Sequence, residues 1–316
     1  MKESRMVRVC LAVVLGCGFA GLPGKAAAVQ IKLGTYTQPK ASGVRDLHVY
    51  SPWQSGRYLA LSFPEHCWGH DLPNTSHDNK EPMLSPWKIA ADSASAGYDS
   101  NPRAGVTFRA RARIDSMAVR LVLEIDNQTD SALTEIRSLV CLKPDAHGGI
   151  GGRPDAMREF RDTSFARTWI AVDGKPVKLH DQTHYAGDYP NRGWTDIRSQ
   201  INWGVNIKGG RDNRTISDIG WFRGNSPGRI VDEVADPAVI IVQSAVNPQH
   251  WLATIWQPAR ILFCNPRNPC LHSDPEIPDC PAHGTTRVEG VVFFHEGSVE
   301  TLIARADAWR KAHGKK

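Results

Sequence analysis

Val106-Thr107-Phe108-Arg109-Ala110-Arg111-Ala112-Arg113-Ile114 alternates without a break, with Val, Phe, two alanines and Ile at the even positions and Thr and three arginines at the odd ones. Successive side chains of a strand point to opposite faces, so this period-two pattern predicts a strand buried on one side and wet on the other. Residues 119–125, Val-Arg-Leu-Val-Leu-Glu-Ile, repeat the reading. Asp126-Asn127-Gln128-Thr129-Asp130 then supplies turn-forming side chains before 133–142 returns, the order expected of an antiparallel meander. Further strands are predicted at 168–172, 238–244, 250–256 and 288–294, punctuated by Asp173-Gly174 and Asn247-Pro248.

Only one helix is predicted. Ser298 offers an N-cap, Glu300 lies in the first turn, and 299–312 places Leu302, Ile303, Ala306 and Trp309 on one side, as an element that closes the outside of a sheet would. The fold class expected is therefore all-β, an antiparallel sandwich with a C-terminal helix. No repeat period and no compositional break divides residues 29–316, which are read as a single β-sandwich domain.

Residues 1–28 read as a signal peptide: Lys2, Arg5 and Arg8, then an apolar run from Val9 to Leu15, then Ala26-Ala27-Ala28 as small residues for cleavage. A periplasmic or secreted location follows as the expectation. Val14-Leu15-Gly16-Cys17 offers an alternative, acylation at Cys17, which would tether the chain without a membrane span. Lys2, Arg5, Arg8 and Lys25 against Glu3 place +3 of the net +5 charge in this segment. The remainder carries no block of like charge, so a nucleic-acid partner is not indicated. Of seven cysteines, Cys67, Cys141, Cys264, Cys270 and Cys280 lie beyond it. An odd number leaves at least one thiol unbridged, and a local bridge is expected between Cys264 and Cys270 or between Cys270 and Cys280. Cys141 reads as a buried strand residue.

Two segments carry a family resemblance. One is residues 122–130 with Leu133, a strand ending in Asn and a Thr/Asp turn before the next strand. The other is Cys270-Leu271-His272-Ser273-Asp274-Pro275, read as a polar cluster on a Pro-rich loop, followed by the Pro281 to Gly284 turn and a closing strand that contains Gly290-Val291-Val292-Phe293-Phe294. Together they resemble galactose mutarotase-like proteins, in which a Cys-Leu-Glu segment carries a catalytic glutamate; His272 stands at that position here. A Thr-Asn-His segment of that family supplies a second catalytic group, and Leu139-Val140-Cys141-Leu142 stands in its place. The resemblance implies a supersandwich of two large sheets with a sugar-binding cleft on the concave face, and with both family residues replaced it does not imply aldose mutarotation. The same architecture serves epimerases, polysaccharide lyases and glycosidase modules, so fold alone does not choose among them.

Candidate chemistry lies in three places. His272 is the expected catalytic residue of the C-terminal segment, with Asp274 orienting it or meeting substrate and Asn265 as a substrate contact. Glu65-His66-Cys67-Trp68-Gly69-His70-Asp71 gathers imidazoles and carboxylates between Pro64 and Pro73, so a loop is expected. His70 is a catalytic candidate there, and His66 with His70 are candidate ligands of a divalent metal, although the sequence requires no cofactor. His184 and Tyr185 form a third candidate, because β-elimination from a uronic acid needs a base to take the C5 proton and an acid to protonate the leaving oxygen. Arg192, Trp194 and Trp203 beside them suit a polyol, with exposed indoles stacking on sugar rings, whereas Trp251 and Trp256 read as core.

The chain lacks a dinucleotide fingerprint after a strand and a Walker A loop, which disfavours the usual dehydrogenases and NTPases. The expected activity is that of an exported carbohydrate-active enzyme, lyase- or epimerase-like, working on a saccharide by acid and base chemistry. The alternative from another class is a non-catalytic periplasmic carbohydrate-binding protein.

Overall fold

The computed structural model describes residues 31–35, 46–76, 84–145, 155–183, 201–213, 228–265 and 269–314. Their strands form two nine-stranded sheets. Sheet A runs β1 (Lys32–Gly34), β2 (Leu47–Tyr50), β3 (Tyr58–His70), β9 (Thr134–Lys143), β17 (Cys270–Pro275), β16 (Ala259–Asn265), β12 (Asn202–Ile207), β13 (Gly228–Ala235), with β4 (Leu72–Ser76) on β3. Sheet B runs β11 (Lys175–Lys178), β10 (Thr168–Val172), β14 (Val239–Gln243), β15 (His250–Gln257), β18 (Gly284–Glu296), β8 (Ala118–Asn127), β7 (Val106–Ile114), β6 (Ser95–Arg103), β5 (Lys88–Ile89). All of these pairings are antiparallel except β12 with β13, which run parallel. The all-β sandwich expected from the sequence is the architecture found.

Alternation builds the core. Val106, Phe108, Ala110 and Ala112 of β7 are buried, and the intervening Arg109 reaches Glu124 and Asp126 across the strand at 2.9 Å each. Leu121, Leu123 and Ile125 from β8, Leu252 and Trp256 from β15, and Val292 and Phe294 from β18 face Leu61, Leu142, Leu262 and Leu271 of sheet A in one continuous apolar cluster. The indole of Trp256 is fully buried and lies against Gly290. Asp173 and Gly174 both take positive φ, giving the tight turn between β10 and β11 that Asp-Gly signals.

Sheet B turns its other face to the C-terminal helix, α2 (Val299–His313), which follows a 3₁₀ turn (Arg158–Phe160) and a single-turn α1 (Leu179–Gln182) along the chain. The Ser298 hydroxyl accepts the Thr301 amide, the cap the sequence predicts. Val299, Leu302, Ile303 and Ala306 pack on Ala171, Val239, Ile241, Trp251, Ala253, Val291 and Phe293, with Trp309 at the margin. The β10, β14, β15 and β18 part of sheet B is thus covered on both sides.

Three local expectations are corrected. Cys270–Pro275 is a strand inside sheet A, buried along its whole length, because Leu271 and Ser273 point into the sandwich while Cys270, His272 and Asp274 point the other way. Residues 65–70 belong to the long strand β3; Pro64 is accommodated where the β3 and β9 register shifts, between Ser62 and His66, so no ladder hydrogen bond is required of it. All five cysteines are unbridged. Cys264 sits in the core between the sheets while its neighbour Cys270 faces outward, and Cys280 lies against the Ile125 and Gly284 carbonyls, so neither expected bridge has the geometry to form.

Candidate active site

The face of sheet A turned away from sheet B is where polar chemistry collects. Ser62 on β3, Cys141 on β9, His272 on β17 and Phe263 on β16 are successive cross-strand partners and form one row. A second row runs beside it: Lys143 pairs with Ala60, and Cys270 pairs with Asn265. The residues between them, Leu61, Leu142, Leu271, Leu262 and Cys264, belong to the core, so period two sends both rows outward. His272, Asp274 and Asn265, three of the sequence candidates, therefore do share one face.

Two connected networks fill it. Asp46, fully buried ahead of β2, accepts the Ser62 hydroxyl at 2.5 Å, and Ser62 Oγ in turn accepts from Lys143 Nζ at 2.8 Å. Lys143 also meets Glu65 Oε1 at 3.3 Å; these two side chains keep 14% and 22% of their surface open, which makes them the accessible rim. Below that rim Cys270 Sγ stands 3.2 Å from His272 Nε2, and His272 Nδ1 stands 3.4 Å from Asp274 Oδ1. The Val140 amide donates to the same Asp274 oxygen at 2.9 Å, and the Phe263 ring stacks on the imidazole at 3.7 Å.

Burial sets the protonation of these groups. It pushes the His272 imidazole well below its ordinary value, helped by the Lys143 charge, and pushes the Asp274 carboxyl well above its own despite the Val140 hydrogen bond. The Cys141 thiol is likewise driven up, first by burial and then by its contact with Cys270. Burial acts against the Lys143 ammonium too, but the carboxylates of Asp46 and Glu65 outweigh it and hold the group charged. The face thus carries the Lys143 ammonium with its carboxylates beside buried groups whose charged forms burial disfavours.

Other candidates fall elsewhere. Asp274 is wholly buried, with Oδ1 3.4 Å from His272 Nδ1. His70 sits at the far end of β3, pairs with Thr134, and is exposed beside Asp71 at 3.2 Å. Seven β9 positions separate Thr134 from Cys141, so His70 and His272 lie on the order of 20 Å apart and do not share a site. His66 and His70 are four residues apart on a strand, about 13 Å at ordinary strand rise, too far to hold one ion. Trp203 is 2% exposed in the core between the sheets, so it packs and does not offer a stacking surface; Trp251 and Trp256 are buried as expected. His184, Tyr185, Arg192 and Trp194 lie outside the described residues. The sequence reading missed Asp46, Ser62 and Lys143 as site residues. The signal available was the outward phase of β9, Arg137, Leu139, Cys141, Lys143, which puts a cysteine and a lysine on the face opposite Val140 and Leu142.

No protein-family model and no curated protein matches the chain. Among solved structures it is similar to a polysaccharide lyase, with 12% identity and a TM-score of 0.34, covering 89% of this chain and 34% of the other. The chain thus spans about a third of that lyase's length. A Synechocystis sp. protein matches at 9% identity and a TM-score of 0.34 over 81% of this chain and 90% of the other. A Klebsiella pneumoniae protein provisionally assigned as an aldose 1-epimerase matches at 7% identity and a TM-score of 0.25 over 86% and 59%. At these scores the likenesses decide neither fold nor function, which rest on the chain's own strands and side chains.

Proposed function

We propose that the outward face of sheet A is the site of an acid/base enzyme acting on a saccharide, lyase- or epimerase-like, on a galactose mutarotase-like supersandwich. The observation that carries the reading is the Asp46–Ser62–Lys143–Glu65 chain, which holds a cation and a carboxylate at the rim of an otherwise buried polar face. A face kept only for solubility would leave its charges in water, where ion pairs cost nothing to keep and gain little. Abstraction of a proton beside a sugar carboxylate or carbonyl needs a base, an acid and a positive charge for the oxyanion that develops. Glu65 is the base reached first from solvent, Lys143 is the charge, and Asn265 on the neighbouring row is a donor for sugar hydroxyls. His272 belongs to the floor of this site, not its rim.

Hydrolysis fits less well, since it needs two positioned carboxylates flanking the scissile bond and Asp46 is locked under Ser62. Export, on the reading of residues 1–28, would bring the protein to extracellular or periplasmic glycans. The test is a panel of uronate-containing and neutral oligosaccharides incubated with the full-length protein. Unsaturated products seen by ultraviolet absorbance, or epimers resolved by NMR, support the proposal. Recovery of every glycan unchanged with saturable binding makes the protein a carbohydrate-binding module instead.

A further inference from the structure

Cys141, Cys270 and His272 place two thiol sulfurs and one imidazole nitrogen within 4.8 Å of one another, each side chain buried, on two adjacent strands of sheet A. We propose that these three residues form a binding site for zinc, a site that includes neither His66 nor His70. A tetrahedral zinc with bonds of about 2.3 Å to sulfur and about 2.0 Å to nitrogen keeps its donors roughly 3.5–3.8 Å apart. Cys270 Sγ and His272 Nε2 already stand at 3.2 Å, so gathering the set around an ion takes side-chain adjustments of an ångström or less and no movement of strands.

The orientation of the imidazole points the same way. Nε2 is the nitrogen turned toward the thiol, while Nδ1 is turned toward Asp274 at 3.4 Å, and the Asp274 carboxyl is itself anchored by the Val140 amide. Asp274 thus stands on the side of the ring away from the thiol, where the outer-shell partner of a ligating histidine lies. The Phe263 ring on the imidazole face holds the same rotamer.

Donor chemistry selects the ion. Two sulfurs and an imidazole suit zinc and other borderline or soft cations and repel calcium and magnesium, which take oxygen ligands. Uptake converts both thiols to thiolates, with the two protons passing to solvent, so the loaded site is neutral and its thiolates lie beside the Lys143 ammonium. Three protein ligands leave one tetrahedral position for a fourth donor such as water. The inference stands apart from the saccharide reading, because ion binding is measured without any glycan.

The test uses the full chain, purified under a thiol-free reductant and titrated with cobalt(II) as a spectroscopic stand-in for zinc. Expected are one equivalent bound, intense near-ultraviolet thiolate-to-cobalt charge transfer, tetrahedral visible bands, and loss of both when zinc is added. Cys141→Ser and Cys270→Ser should each abolish the charge-transfer band or weaken binding at least tenfold. Cys280→Ser, a residue whose sulfur lies against two carbonyls away from this face, should leave it unchanged. Folded wild-type protein, checked by circular dichroism, that gives only weak octahedral bands overturns the proposal whatever the variants do. So does a charge-transfer band that survives in the Cys141→Ser, Cys270→Ser double variant.

Discussion

Gly290 shows how tightly single positions are fixed: a Cβ there would stand 2.5 Å from the Trp256 ring, which is itself fully buried. Neither the indole nor strand β18 has room to retreat, so Gly290→Ala is expected to destabilise the protein by about 1–3 kcal/mol, the usual cost of overpacking, read as a lower urea midpoint with an unchanged slope. The residues of the candidate site were unevenly legible. His272, Asp274 and Asn265 could be picked out because they are polar side chains in or beside a compact Cys/His/Asp segment. Asp46, Ser62 and Lys143 could not, since each is a lone polar residue in an unremarkable stretch and acquires meaning only when β3 and β9 pair. Alternation tells which face a side chain takes; it does not tell which strand lies next to it.

At the scale of elements, legibility followed exposure. β7 and β8 are wet on one face, so apolar and charged residues alternate and the strands announce themselves. β17 is buried on both faces, and its inward phase mixes Leu with Ser while Pro275 ends it, so no apolar/polar alternation marks the strand and it read as a loop. Helix α2 was the plainest element, and two expectations test it. Ser298→Ala removes the acceptor of the Thr301 amide and should cost about 1 kcal/mol in thermal or denaturant unfolding. Burial raises the Asp307 carboxyl, but Lys311 and Arg310 outweigh it and hold the group below its ordinary 3.8. A carboxyl depressed in the folded state stabilises above its unfolded value and loses that contribution as pH falls through the folded one. The stability gap between wild type and Asp307→Asn should therefore be full at neutral pH and close progressively below 3.8.

For the whole molecule the asymmetry of the two sheets is the central fact. Sheet B gives one face to the common core and the β10, β14, β15 and β18 part of the other to α2, with the charged side chains of β7 and β8 open to solvent on the rest. Sheet A gives one face to that core and gathers Ser62, Cys141, His272, Lys143, Cys270 and Asn265 on the other, beside the apolar Leu139, Ile261 and Phe263. On the proposed function this second face does the chemistry and the remainder of the sandwich supports it. The most direct check compares two matched substitutions on whichever saccharide the panel identifies: Glu65→Gln at the rim of sheet A, and Glu289→Gln on sheet B, where the carboxylate pairs with Arg287 at 2.8 Å. With folding confirmed for both, the account predicts that Glu65→Gln lowers kcat by about 100-fold, the scale of a lost general base, while Glu289→Gln stays at the wild-type value. A Glu65→Gln variant with wild-type turnover, or equal losses in the two, contradicts it.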